Sequence, residues 1–195
     1  ISIHTINSYI NIMSKILVTG GTGYIGSHTV VELHNAGYTP VIIDNLSNSN
    51  IQILDQIEKI IGVKPEFHQF DLCDVAKTTS FIEANPDITG IIHFAASKAV
   101  GESVVDPLKY YHNNFFSLIN LLNSYRDKPI NFVFSSSCTV YGEPDVLPVT
   151  ESAPVKKSTS PECWCSMTQQ SFSLRSYRNT KSLLVRKSWP KACTS

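Results

Sequence analysis

The chain has 195 residues, of which 42% are hydrophobic, so it is long enough to form one domain with a buried core. Its 16 basic and 16 acidic residues balance, which leaves no electrostatic basis for binding nucleic acid or a membrane surface. No apolar run approaches the roughly 20 residues that a membrane-spanning helix needs.

The first residue is not methionine, and Met13 stands directly before the first apolar segment. We therefore interpret residues 1–12 as a translated upstream segment, because they lack the charged start and the cleavage site of a signal peptide. The five cysteines form neither a disulfide framework nor a metal-ligand spacing. We expect reduced thiols, no metal site and a cytoplasmic protein.

Helix-like and strand-like segments alternate along the chain. Apolar residues recur at helical spacing in the former and form short runs in the latter. In chain order we predict a strand over 16–19, a helix over 23–36, a strand over 39–43, a helix over 49–61, a strand over 66–70, a helix over 76–84, a strand over 90–94, a helix over 107–125 and a strand over 130–134. This alternation favours an α/β fold, a doubly wound parallel sheet with helices on both faces.

Three glycines, Gly20, Gly23 and Gly26, separate the first strand from the first helix. Glycine allows a tight turn and a close approach of the backbone to a ligand, and the N–H groups at a helix start attract anions. The spacing is one residue longer than the usual G-x-G-x-x-G of dinucleotide-binding units. It predicts a loop that holds a pyrophosphate, with a glycine-rich turn without ligand as the alternative.

An acidic residue follows at the end of the second predicted strand. Asp44 comes 24 residues after Gly20, where dinucleotide-binding units carry the acid that holds the adenine ribose hydroxyls. Residues 45–50 contain no arginine or lysine to accept a 2′-phosphate, and Asp44 would repel one. The sequence therefore favours NAD over NADP.

The carboxyl ends of the fourth and fifth predicted strands carry small and hydroxyl-bearing residues. Residues 94–103 would leave room for a flat cofactor, and residues 135–141 would place hydroxyls at the same edge of the sheet. The alternatives are a tightly packed turn after the fourth strand and simple serine caps after the fifth.

Residues 13 to about 161 resemble the UDP-glucose 4-epimerase family, which belongs to the NAD-dependent epimerase/dehydratase family of the extended short-chain dehydrogenase superfamily. The matching segments are 20–26, 44–46, 94–103, 110–114 and 135–142. The glycines mark only the superfamily, whereas segments 98–103 and 135–142 are much more specific. The resemblance implies a Rossmann-like NAD-binding domain over 13–161.

The resemblance also implies a role for individual residues around bound NAD. They are Tyr24 and Ile25 at the pyrophosphate, Asp44 and Asn45 at the adenosine ribose, Asp71 and Leu72 beside the adenine, and Phe94, Ala95, Ala96 and Lys98 along the nicotinamide half, with Asn113 nearby. A UDP-sugar substrate and a possible homodimer are implied in the same way.

The implied chemistry is a transient oxidation that interconverts UDP-galactose and UDP-glucose. NAD takes a hydride from C4 of the sugar while a tyrosinate takes the hydroxyl proton, and the hydride then returns to the other face. Tyrosine has a pKa of about 10 and needs a lysine four residues later to make it a base. The implied catalytic residues are Ser137, Tyr177 and Lys181.

The chain departs from its family at this motif. The Tyr-x-x-x-Lys sequence is expected directly after Ser160-Pro161, but Tyr177 and Lys181 arrive 15 residues late. Either the pair is a chance match or residues 162–176 are an insertion, perhaps unspliced sequence, and the residues after Lys181 suggest a shifted reading frame. Residues 163–195 contain six basic residues, no acid and no glycine, and show no periodicity. We interpret 162–195 as an aberrant tail outside the domain.

We therefore expect an NAD-binding part that lacks the sugar-binding domain of its family and does not itself catalyse the reaction. One alternative is another nucleotide-sugar dehydratase or epimerase of the superfamily, which would usually carry an acid beside the serine, where this chain has Cys138. The other is a non-catalytic NAD-binding fragment, which is favoured if Tyr177 cannot reach Ser137.

Overall fold

The computed structural model describes residues 14–135, residues 148, 150 and 153, and the backbone of residues 180–186. Ser137 and Tyr177 therefore lie outside the described residues. Within these ranges, no helix combines the length and the apolar character that a membrane span requires.

The described chain forms six strands and five helices. The strands are β1 (Lys15–Thr19), β2 (Thr39–Asp44), β3 (Glu66–Gln69), β4 (Ile88–His93), β5 (Ile130–Ser135) and β6 (Thr180–Arg186). The helices are α1 (Tyr24–Asn35), α2 (Ile53–Ile61), α3 (Val75–Ala84), α4 (Val100–Val105) and α5 (Pro107–Ser124). Every element predicted up to residue 134 is present, and only α4, which is too short to show a period, was missed.

All strand pairs in the sheet are parallel. The strand order is β3-β2-β1-β4-β5-β6, so the direction of winding reverses between β1 and β4. This is the strand order of the doubly wound dinucleotide-binding fold, and ligands of such folds bind where the order reverses. The predicted fold class is confirmed.

Alternating residues of the strands pack against helices on opposite faces of the sheet. On one face, Val18 and Ile42 contact buried residues of α1 and α2, such as Val30 and Leu54. The other face carries the larger cluster, which includes residues of β1, β2, β4, β5, α3 and α5. Because successive side chains of a strand point to opposite faces, each strand contributes apolar side chains to the helix layer on either side. This is expected for a parallel sheet that is buried on both faces.

Side-chain caps fix the starts of the two helices on the larger core. The Asp74 carboxylate accepts a hydrogen bond from the Lys77 N–H at 3.1 Å, which caps α3. Asp106 does the same for the Lys109 N–H at 3.2 Å, and Pro107 follows as the first residue of α5. A carboxylate at the N-cap satisfies one free N–H group and suits the helix dipole.

Residues 180–186 form a strand, although they lie in the segment in which the sequence shows no periodicity. Strand β6 pairs with β5 in parallel, from Asn131 with Ser182 to Ser135 with Arg186. A run of three apolar residues, 183–185, suffices for a short strand once the edge of β5 offers unpaired backbone groups, and periodicity does not detect so short a run. The domain limit at residue 161 stays a prediction.

Candidate functional site

The glycine loop after β1 lies directly against the end of β4. Gly20 has a φ of +69°, and a Cβ atom there would lie 2.9 Å from the Ala95 nitrogen. A Cβ atom on Gly26 would lie 2.1 Å from the Gly20 carbonyl oxygen. Both contacts are with backbone atoms, so only glycine allows β1, α1 and the end of β4 to come this close together.

The first turn of α1 is open to an anion. The N-cap residue is Gly23, which has no side chain to accept a hydrogen bond from the N–H groups of the first turn, and that turn carries no acid. Ile25 is half-buried, whereas Tyr24 is 72% exposed and meets the His28 ring edge-on at 5.0 Å between ring centres. The unsatisfied N–H groups and the helix dipole together favour a negatively charged ligand at this point.

The Asp44 carboxylate, at the end of β2, joins that strand to the glycine loop. It accepts hydrogen bonds from the Thr22 N–H at 3.2 Å, the Leu46 N–H at 2.9 Å and the Ser49 hydroxyl at 3.2 Å. The Thr22 and Ser49 hydroxyl oxygens are themselves 2.8 Å apart. Three hydrogen bonds therefore hold the Asp44 carboxylate beside the loop in a fixed orientation.

A second carboxylate joins the ends of β2 and β3. The Asn45 amide donates to Asp71 Oδ2 at 3.1 Å, and Asp71 Oδ1 accepts from the Cys73 N–H at 2.8 Å. Leu72 between them is buried. Burial, with the nearby charge of Asp71, raises the pKa of the Cys73 thiol to about 11, so this thiol is not a nucleophile at neutral pH.

The segment after β4 is held by two neighbouring asparagines of α5. Phe94, Ala95 and Ala96 are half-buried, and Lys98 is exposed. The Asn113 amide donates to the Ser97 hydroxyl at 3.1 Å.

Asn114 forms two hydrogen bonds with the backbone of Ser97. Its Oδ1 accepts from the Ser97 N–H at 2.8 Å, and its Nδ2 donates to the Ser97 carbonyl at 3.0 Å. The sequence analysis named Asn113 and missed Asn114, although a polar residue on an otherwise core-facing helix side was a signal that could have identified it.

A buried polar pair lies beneath the crevice between β1 and β4. Thr19 and His93 are opposite each other in the two strands, and Thr19 Oγ1 is 2.8 Å from His93 Nδ1. The Ala95 N–H donates a long hydrogen bond of 3.4 Å to the same threonine oxygen. Burial lowers the pKa of His93 to about 4, so its imidazole is neutral at pH 7. Neither residue was predicted, because each is recognisable only through its partner about 74 residues away.

The structure gathers the predicted cofactor residues at one edge of the sheet. The glycine loop, Asp44, the 71–72 segment and the 94–98 segment all follow the carboxyl ends of strands β1 to β4. In the described ranges, no group of three or more histidine, cysteine, aspartate or glutamate residues could hold a metal ion.

Lys181 is not at that edge. It lies in β6 between Thr180, which pairs with Ile130, and Ser182, which pairs with Asn131. These are the first residues of β5, so Lys181 is level with the amino edge of the sheet, about 16 Å along the strand from the level of Ser135.

A strand order that reverses between β1 and β4, a helix start without a side-chain cap and a carboxylate at the end of β2 define the class of protein: a doubly wound α/β domain of the Rossmann-like type. The family profile described as GDP-mannose 4,6 dehydratase matches residues 17–187. The chain belongs to that family of nucleotide-sugar enzymes.

Similar proteins of known name show which members of this family the chain resembles. UDP-glucose 4-epimerase of Dictyostelium discoideum is 50% identical over 150 residues, covering 75% of this chain and 42% of that protein. The UDP-glucose 4-epimerase of Bacillus subtilis (strain 168) is 52% identical over 143 residues, covering 72% of this chain and 41% of that protein. The resemblance to UDP-glucose 4-epimerases is confirmed.

A solved structure agrees with these relatives. The UDP-glucose 4-epimerase from Bifidobacterium longum in complex with NAD+ and UDP superimposes with a TM-score of 0.77 and 41% identity. The match covers 83% of this chain and 48% of that one. The chain thus spans less than half the length of the relatives it matches.

Proposed function

We propose that this chain binds NAD in the crevice between the ends of β1 and β4, and that it is the cofactor-binding half of an enzyme that interconverts UDP-galactose and UDP-glucose. The convergence of the glycine loop, the open start of α1 and the fixed Asp44 carboxylate carries this proposal. The epimerase relatives, one of them solved in complex with NAD+ and UDP, support it.

Each part of NAD has a complementary part of the crevice. The N–H groups near Tyr24 and Ile25 would hold the pyrophosphate. The acceptors of Asp44 and Asn45 suit the ribose hydroxyls of the adenosine. The remaining contacts would come from Asp71 and Leu72 at the adenine and from Phe94, Ala95, Ala96, Lys98 and Asn113 at the nicotinamide half.

In the whole enzyme, bound NAD would accept the hydride from C4 of the sugar and return it. Ser137, Tyr177 and Lys181 are proposed to orient the sugar hydroxyl and move its proton. A UDP-sugar substrate, a homodimer and a cytoplasmic location belong to the same proposal.

For the 195-residue chain itself, a non-catalytic NAD-binding fragment is the better-supported alternative. The position of Lys181 at the amino edge of the sheet favours it, because a lysine so far from the crevice cannot lower the pKa of a tyrosine in the crevice.

The choice between NAD and NADP tests the site directly. We expect the chain to bind NAD+ and to bind NADP+ at least about tenfold more weakly, because Asp44 repels the 2′-phosphate. Asp44→Asn should weaken NAD+ binding about 10- to 100-fold, the loss expected when hydrogen bonds to a charged acceptor are removed. The ratio of the NADP+ and NAD+ dissociation constants should also become smaller. Isothermal titration calorimetry with both cofactors measures these affinities.

Asp55→Asn is the matched control, since Asp55 is an exposed carboxylate on α2 that pairs with Lys64 at 3.5 Å, away from the crevice. It removes the same charge and should leave both affinities unchanged. Equal affinity of the unaltered chain for NAD+ and NADP+ would contradict the assignment of Asp44 to the ribose.

A further inference from the structure

We propose that helix α5 positions the two ends of the NAD site through two buried asparagines: Asn114 holds the nicotinamide-side segment after β4, and Asn120 holds the adenine-side segment after β3. The inference rests on the proposed NAD site and adds to it two residues that would touch neither the cofactor nor the substrate. Both are positioning residues.

Asn114 acts on Ser97 as a neighbouring strand would. Its side-chain amide accepts from the Ser97 N–H at 2.8 Å and donates to the Ser97 carbonyl at 3.0 Å. Its Oδ1 also accepts from the Asn113 amide at 3.0 Å. Asn114 is fully buried, so its own amide has no access to water, and an unpaired polar group there would carry a cost of desolvation.

Ser97 lies inside the segment that the proposal assigns to nicotinamide. Ala96 precedes it and Lys98 follows it. Fixing both backbone groups of Ser97 therefore fixes the positions of its two neighbours. Because Asn114 bonds to backbone rather than to a side chain, its effect does not depend on the serine hydroxyl.

Asn120 holds the other segment in the same manner. Its Nδ2 donates to the Leu72 carbonyl at 2.8 Å and to the Cys73 carbonyl at 3.2 Å. Asn120 is also buried. Leu72 is the residue that the proposal places beside the adenine. The preceding residue, Asp71, accepts a hydrogen bond from the Asn45 amide.

Helix α5 is a rigid frame for both contacts. Its start is capped by Asp106, and Leu118 and Leu121 anchor it in the larger core. Asn114 and Asn120 are six residues apart, about 9 Å along the helix axis. The segments they hold follow β4 and β3, which are three strand spacings apart, about 14 Å. One helix thus sets the distance between the two ends of the crevice.

Two ligands separate the two roles, because ADP-ribose contains the adenosine, pyrophosphate and ribose parts of NAD but no nicotinamide. We expect Asn114→Leu, in the 195-residue chain, to weaken NAD+ binding at least about tenfold and to leave ADP-ribose binding within about twofold. Asn120→Leu should weaken both ligands by similar factors, since both contain the adenine. Calorimetric titration of each variant with each ligand gives the four affinities.

The circular dichroism spectrum and the melting temperature of each ligand-free variant show whether it folds. If a leucine variant does not fold, the variant Asn114→Ala or Asn120→Ala replaces it, because alanine removes both hydrogen-bonding groups and introduces neither bulk nor charge. The expected pattern of affinities is the same for the alanine variants.

The proposal is overturned if Asn114 substitution weakens NAD+ and ADP-ribose equally, or weakens neither. It is also overturned if Asn120 substitution affects only NAD+. The unaltered chain tests the proposed function separately: if it binds neither ligand, the NAD site itself is rejected.

Discussion

His93 is the titratable side chain whose environment differs most from water in the described part of the site. Its ring is buried near the aromatic rings of Phe132 and Phe134, with centre-to-centre distances of 6.1 and 6.0 Å. Thr19 provides a neutral hydrogen-bond partner, not a counter-charge. The neutral imidazole is therefore the form that fits the fold, and protonation acts against it.

Acid should destabilise the chain through this histidine. Its pKa is about 4 when folded and near 6.5 when unfolded, so between these values the unfolded chain binds more protons and stability falls as pH falls. From pH 8 to pH 5 the loss attributable to His93 is about 2 kcal/mol. Urea unfolding at several pH values measures it, with His93→Gln as the comparison.

His93→Gln keeps a hydrogen-bonding group opposite Thr19 but cannot be protonated in this range. Its free energy of unfolding should fall less between pH 8 and pH 5 than that of the unaltered chain. An identical pH dependence for the two chains would show that His93 is not the group responsible.

At the scale of elements, the contact between α1 and the glycine loop sets the shape of the crevice. Gly26 lies in the first turn of α1 and packs on the Gly20 carbonyl oxygen, where no Cβ atom fits. In contrast, a Cβ atom on Gly101 in α4 would meet nothing within 4 Å. Alanine substitution at these two helical glycines therefore compares a position where a Cβ atom clashes with one where it has space.

We expect Gly26→Ala to lower the free energy of unfolding by about 1–3 kcal/mol and to abolish measurable NAD+ binding, because the loop must move away from the helix. Gly101→Ala should leave NAD+ binding unchanged and raise the stability by up to about 1 kcal/mol, through the better helix propensity of alanine. Thermal unfolding and NAD+ titration of both variants measure these effects. Retention of NAD+ affinity in Gly26→Ala would contradict the close packing of loop and helix.

Strand β6 is the other element with consequences for function. The tyrosine and the lysine of a Tyr-x-x-x-Lys motif lie close together when the motif is helical, because residues four apart are neighbours on one face of a helix. Here Lys181 belongs to a strand, at the end of the sheet opposite to the crevice. Lys181 therefore has the sequence spacing of the Tyr-x-x-x-Lys motif but does not lie on a helix, as the motif requires.

For the molecule as a whole, the matches to two UDP-glucose 4-epimerases cover 42% and 41% of the lengths of those proteins. A catalytic tyrosine must come within about 2.6–3.2 Å of the reacting hydroxyl, and an error near 1 Å can cost about a hundredfold in rate. Residues 162–176 stand between Pro161 and the displaced motif. This separation between Pro161 and the motif acts against catalysis by the 195-residue chain.

We therefore predict that the 195-residue chain does not convert UDP-galactose to UDP-glucose at a measurable rate, even when saturated with NAD+. Deleting residues 162–176 alone should not restore the reaction, whereas adding the C-terminal part of a UDP-glucose 4-epimerase to the same chain should be required. Chromatographic separation of the two UDP-sugars after incubation is the assay, with a full-length UDP-glucose 4-epimerase as the positive control. Conversion by the unaltered chain that is lost in Tyr177→Phe would contradict the prediction.

The sequence by itself determined the order of the elements up to residue 134, the doubly wound fold, the glycine loop and Asp44. Each of these depends on local patterns: the period of apolar residues, glycine before a helix, and an acid at the end of a strand. Only the tertiary structure revealed what Asn114, Asn120 and the pair of His93 with Thr19 bind, because their partners are distant in sequence. The same holds for β6, which becomes a strand through pairing with β5 and thereby places Lys181 at the opposite edge of the sheet.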